Sequence, residues 1–129
     1  MQVEFRALLL ADGPLAAMVG ARIDWGVSAQ GSQMPRVTLQ LIGDNAQGFT
    51  FEGGDGLFEG RVQVGCYGES YGEAAAVAGA VKALLDGYRA DGFRGVFCVS
   101  ERDEYSGGIT DSARPFGKQL DFKTKWRKQ

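Results

Sequence analysis

The sequence predicts a single α+β domain: a mostly antiparallel sheet with two helices packed on one face. Three observations predict it. Two stretches carry apolar residues at three- and four-residue steps, and several others alternate apolar with polar residues. Their order, helix then strands then helix then strands, lacks the repeated strand and helix alternation of a parallel doubly wound sheet. At 129 residues the chain fits one domain, and no linker or internal repeat divides residues 1–129. A domain of this size buries roughly two thirds of the surface its unfolded chain exposes, enough for a real core.

The first helix is read from Gln2 to Ala11, where Val3, Phe5, Leu8, Leu9 and Leu10 approximate one stripe. Asp12 is placed to cap a second helical piece, with Pro14 in its first turn and Gly20 as its stop after Val19. The pair is expected to act as one helix, kinked at Gly13-Pro14. Ile23 and Trp25 alternate in a short strand within Arg22 to Gly26, and a polar loop runs on to Pro35. Val37, Leu39 and Leu41 take one face of a half-buried strand from Arg36 to Ile42, with Thr38 and Gln40 on the other. Gly43-Asp44-Asn45 then predicts its end in a turn. A glycine-laden segment to Gly60 makes a long hairpin with the strand Arg61 to Tyr67, which alternates through Val62, Val64 and Cys66.

Ser70 and Glu73 form a capping box: the serine oxygen accepts from the Glu73 amide and the glutamate accepts from the cap amide. A helix follows from Tyr71 to about Arg89, with Ala74, Val77, Ala78, Val81, Leu84, Leu85 and Tyr88 in one stripe and Asp91-Gly92 closing it. Phe93 to Glu101 predicts a strand with apolar residues on both faces, so that both are expected to be covered. After a polar loop from Arg102 to Arg114, the last strand sends Phe116, Leu120, Phe122 and Trp126 to one side, with Thr124 between them. Gln119, Asp121, Lys123, Lys125 and Arg127 go to the other.

Composition limits what the chain does. A formal charge of −2 gives no overall basic footprint for a phosphate backbone. No apolar run reaches the roughly 18 residues that span a bilayer. Residues Met1 to Arg6 carry neither a basic leader nor a small-residue cleavage site, which predicts a cytosolic product without a secretory signal. Cys66 and Cys98 read as buried free thiols, and a disulfide requires their strands to be neighbours.

Histidine is absent from the sequence, which removes the commonest general base near neutral pH and the usual partner of a serine or cysteine nucleophile. Two cysteines without histidine cannot make a standard structural zinc site. Glu101, Asp103 and Glu104 form the tightest acidic cluster, and a small carboxylate-dependent hydrolase is the enzyme reading they support; Arg102 among them favours a solvated charge run. Gly53-Gly54-Asp55-Gly56 is followed by a strand and by no lysine-serine pair, so it reads as a hairpin tip and not a phosphate cradle. Trp25 and Trp126 would serve a single-stranded DNA-binding module by stacking, but lone aromatics on strand faces belong more often to cores or interfaces.

Charge is unevenly distributed. Asp44 to Glu59 holds Asp44, Glu52, Asp55 and Glu59 with no base, a formal −4, whereas Lys118 to Lys128 sums to +4. Such segments either meet between copies arranged head to tail or remain two unrelated solvated surfaces. Phe49 and Phe51 are the apolar anchors of the acidic, glycine-rich segment, which makes Asp44 to Gly56 a candidate contact loop. Candidate interface residues are therefore Asp44, Phe49, Phe51, Glu52, Asp55, Lys123, Lys125 and Arg127.

A succession of short motifs adds a resemblance. Phe5 to Leu10, Ala11-Asp12-Gly13-Pro14-Leu15-Ala16-Ala17-Met18-Val19-Gly20 with Arg22-Ile23, Met34 to Leu39, and Arg61-Val62-Gln63-Val64-Gly65-Cys66-Tyr67 open it. Ser70-Tyr71-Gly72-Glu73-Ala74, Leu84-Leu85-Asp86-Gly87-Tyr88 and Leu120 to Trp126 complete it. Over nearly the whole chain their order resembles the phage tail completion, or tail terminator, family of long-tailed phages, prophages and gene transfer agents. The resemblance implies a tail-terminator-like fold and a structural virion protein, not an enzyme. Its expected form is a homo-oligomeric ring, a hexamer, that caps the tail tube, stops its polymerisation and offers a docking surface to the head-tail connector protein. Another connector component, an adaptor or a stopper, is the alternative. The resemblance brings no cofactor, metal or catalytic residue. Its partners would be the chain itself, the tail tube protein and the connector, with DNA only as cargo in the lumen and no membrane. Its place would be the virion tail, after assembly in the host cytoplasm.

Overall fold

The computed structural model describes residues 1–26, 35–46, 49–50, 53–54, 57–90, 92–104 and 116–127. In chain order they form α1 (Gln2–Ala11), α2 (Gly13–Val19), β1 (Ile23–Trp25), β2 (Arg36–Ala46), β3 (Phe49–Thr50) and β4 (Gly53–Gly54). Next come β5 (Leu57–Gly68), α3 (Tyr71–Leu85), β6 (Phe93–Glu104) and β7 (Phe116–Arg127). Five strands make one sheet in the order β1-β2-β5-β7-β6; β1 and β2 are parallel and the other neighbours antiparallel. This is the α+β architecture expected, with three helices in place of two.

The extra helix arises at Asp12. Its extended backbone ends α1, while its carboxylate accepts from the Leu15 amide at 3.0 Å and so starts α2. One residue thus serves two helix ends, and the expected kink becomes a break. Arg6 and Trp25 fasten α1 to β1: Arg6 Nε donates to the Ile23 carbonyl at 2.6 Å, and Trp25 Nε1 to the Gln2 carbonyl at 3.1 Å.

The helices cover one face of the sheet, and the core lies between. Phe5, Leu9, Leu15, Val19, Val77, Val81 and Leu85 from the helices meet Val37, Leu39, Val62, Val64, Cys66, Val96, Leu120 and Phe122 from the strands, all without solvent exposure. Phe5 and Tyr88 pack edge-on against Phe93, which extends the core beneath α1. Among the described residues, no helix is long and apolar enough to cross a membrane.

Four local expectations change. β2 does not turn at Gly43-Asp44-Asn45: a bulge between Leu41 and Gly43 leaves Ile42 unpaired, and the strand continues to Ala46 against Phe58. α3 stops at Leu85, four residues before Arg89, because Asp86 turns extended and Gly87 takes a φ of 84°, a left-handed conformation that favours glycine. Ser70 Oγ accepts from the Glu73 amide as expected, but the Glu73 carboxylate accepts from Glu69 N–H and not from the cap residue. β6 is an edge strand with one face covered, so Phe97 and Val99 are 45% and 46% exposed. Its ladder to β7 is also bulged, between Phe93 and Gly95 and again between Cys98 and Ser100.

Both cysteines carry free thiols. β7 separates the strands that hold them. Cys66 is fully buried, which pushes its thiol pKa up to about 12, whereas Cys98 is only half-buried.

Candidate assembly interface

The face of the sheet away from the helices is open and polar. Alternation along β2, β5 and β7 sends Thr38, Gln40, Gln63, Tyr67 and Gln119 to this side, where with Gly65, Arg102 and Asp103 they line a hollow of about 470 Å³. Gly65 is required here: a Cβ would come within 2.7 Å of Thr38 Oγ1 and 2.8 Å of the Tyr67 ring. The Tyr67 ring is held from both sides. Gln119 Nε2 donates to its hydroxyl at 3.0 Å, and the Arg36 guanidinium lies 5.4 Å from its centroid. Two ion pairs lie on this side, Arg102 with Asp121 at 2.8 Å and Lys123 with Glu59, while Arg61, Lys125 and Arg127 have no ion-pair partner among the described residues. The hydrogen bond from Lys123 holds the Glu59 carboxyl below the usual range. A second hollow, lined by Ile42, Gly43, Asn45, Glu59, Gly60, Arg61 and Lys123, lies at the hairpin end of the same sheet.

The acidic cluster weighed for hydrolysis is tied into ion pairs. Lys82 of α3 donates to Glu101 at 2.8 Å, while Lys118 reaches Asp103 at 3.1 Å and Glu101 at 3.5 Å. The Tyr71 hydroxyl also lies 3.3 Å from both Asp103 oxygens. The bond from Lys82 lowers the Glu101 pKa, and contacts with Tyr71 and then Asp103 raise that of Lys118. Such charges pin α3 to β6 and β7; a general acid needs the opposite shift, a carboxyl held protonated near neutrality. Among the described residues, no group of three or more Cys, Asp or Glu is placed to hold a metal ion.

The expected interface residues are brought together only in part. Asp44 lies on β2, and β7 carries Lys123, Lys125 and Arg127 in register with Arg61, Glu59 and Leu57 of β5. One pair of the opposite charges, Glu59 and Lys123, therefore meets inside a single copy. Phe49 belongs to β3, which pairs with β4 as a separate two-stranded ladder. Phe51, Glu52 and Asp55 lie outside the described residues, as do Gly107-Gly108 of the second polar loop. Sequence reasoning passed over the amide row of Gln40, Gln63 and Gln119, whose recurrence at the polar positions of three strands was the available signal.

A surface of amides and ordinary charged side chains, backed by a complete core, is suited to contact and not to reaction. The family model described as "Tail completion protein gp17" matches residues 3–123. The chain belongs to the tail completion protein family. It is a structural component of the virion tail, without an enzymatic role, and acts through contacts with other virion parts. Among solved structures, a chain of the virion of a native gene transfer agent particle superimposes with a TM-score of 0.66 at 19% identity, covering 99% of this chain and 95% of that one. At that identity the likeness is one of fold. The curated proteins contain no match to this chain.

Proposed function

We propose that this tail completion protein is the terminator of the tail: a homo-oligomeric ring, a hexamer, that caps the tail tube, arrests its polymerisation and offers its far surface to the head connector. The observation that carries this reading is the division of one sheet into a helix-covered face and an open face lined by the amides of Gln40, Gln63 and Gln119. Turned toward a lumen, the amide row would face DNA passing as cargo without placing a charge against the phosphate backbone.

Within this reading the segment from Asp44 to Gly56 is the contact loop. Phe49 and Phe51 are its apolar anchors and Asp44, Glu52 and Asp55 its carboxylates, and the basic Lys123, Lys125 and Arg127 form the facing margin. Deleting the gene in cells that make the particle should leave tails of abnormal length that fail to join filled heads, and supplying the chain should restore both. Deletion mutants with normal tails on filled heads would overturn the reading. Recovery of the chain with isolated heads, and not with headless tails, would assign it to an adaptor or stopper instead. Removing Asn45 to Gly56 should abolish capping or head joining while the domain stays folded; unchanged particle yield would remove the loop from the proposal.

A further inference from the structure

Among the described residues, the sheet's two margins are guarded along only half their length. On one side β1 pairs with Val37, Thr38 and Leu39 of β2, and no strand among the described residues lies beside Leu41 to Ala46. On the other side, the chain that follows α3 lies along the first half of β6. Gly87 N–H donates to the Val96 carbonyl at 2.7 Å, Val96 N–H to Tyr88 at 3.1 Å, and Phe93 N–H to Ala90 at 2.9 Å. The Cys98 N–H donates to the Asp86 carboxylate at 3.0 Å. From Val99 to Glu104 the outer margin has no such partner among the described residues.

These two unpaired stretches stand at diagonally opposite corners. The register sets Asp44 level with Gly60, Thr124 and Val96, and Thr38 level with Gly65, Gln119 and Arg102. Each stretch begins at a bulge whose extra residue is apolar and exposed, Ile42 at 52% and Val99 at 46%. Free strand margins are templates for pairing, and soluble chains normally block them. Here, among the described residues, half of each margin is blocked and half is left.

We propose that copies of this chain join by antiparallel pairing of Leu41–Ala46 of one with Val99–Glu104 of the next, continuing one sheet around the ring with the helices outside. The inference rests on the ring reading and names its joint. β2 and β6 run in opposite directions within the sheet, so a neighbour's β2 laid against β6 keeps the antiparallel alternation. The geometry also closes. Matching the two stretches offsets successive copies by roughly 4.5 residues, or about 15 Å, while β2, β5, β7 and β6 span about 19 Å. The resulting slope of about 38° falls in the roughly 35–45° tilt that a closed sheet requires. Margins unpaired at the same level would give no tilt and could not close in this way.

Cysteine cross-linking in tails isolated from particle-producing cells tests the joint. In a Cys98→Ser background, Asn45→Cys and Ser100→Cys lie at exposed positions that the proposed pairing sets opposite one another. With both in one chain, mild oxidation should give a ladder from dimers up to the full ring; either alone should give monomers. A pair on the guarded halves, Asp24→Cys with Arg94→Cys, should give no ladder. If the chain sits at the tail end and the first pair fails to ladder, or the guarded pair ladders equally, the joint is wrong and the terminator reading stands. Dimers from a single variant would mean a two-fold contact and overturn the joint as well. If the chain is missing from tails, the terminator reading fails and the joint with it.

Discussion

Along β5, neighbouring residues answer to different demands. Val62, Val64 and Cys66 are fully buried beneath the helices, while Gln63 and Gly65 between them line the open hollow. The first set must fill space at close-packed density, and any change of volume there is felt. In the second set Gln63 faces solvent and tolerates change, whereas Gly65 is held to glycine by the closeness of Thr38 and Tyr67. One strand therefore holds the domain together on one side and presents it on the other, and the two sides should separate cleanly under mutation.

The sharpest test is to empty the covered side. Phe122→Ala removes a fully buried ring and should cost about 3–5 kcal/mol in equilibrium denaturation. A loss below about 1 kcal/mol would mean that the core lies elsewhere.

Alkali should come next. The folded Cys66 thiol titrates near 12, above its ordinary value of 9.0, so between those values the unfolded chain binds fewer protons and stability falls as pH rises. The slope for this one group approaches about 1.4 kcal/mol per pH unit. Cys66→Val should flatten it relative to the parent chain in parallel melts from pH 8 to 11.

A smaller effect is expected at the start of α3. Ser70→Ala leaves the Glu73 amide without its acceptor and should cost about 1 kcal/mol, read from thermal denaturation. Smallest of all, Gln63→Ala on the open face should change stability by no more than about 0.5 kcal/mol. A large loss there would erase the contrast between the faces.

Much of this contrast was legible in the sequence. Alternation placed Val37, Leu39, Val62, Val64, Leu120 and Phe122 on the buried side, and three- and four-residue spacing found the helices; both signals are local and survive into the fold. Local signals failed where tertiary pairing decides. Asp44 and Asn45 read as a turn, but pairing with Gly60 and Glu59 carries the strand through them at the expense of one bulge. Tyr88 continued the helical stripe, yet Gly87 had already ended the helix and the chain there pairs with β6. Phe97 and Val99 looked covered because no periodicity reveals that a strand lies at an edge. The candidate interface was the least legible part. The charge asymmetry was visible, but the strand order that makes Glu59 the neighbour of Lys123 depends on contacts distant in sequence.

The bulges also set the shape of the sheet before any assembly. β5 and β7 pair without interruption from Leu57 to Gly68, while of the strands on either side of them β2 takes an extra residue at Ile42 and β6 takes two, at Arg94 and Val99. An inserted residue bends its strand and increases the local twist. A straight spine flanked by two bent ribs is already curled, so such a sheet could follow an arc without spending free energy on flexing at the moment of contact.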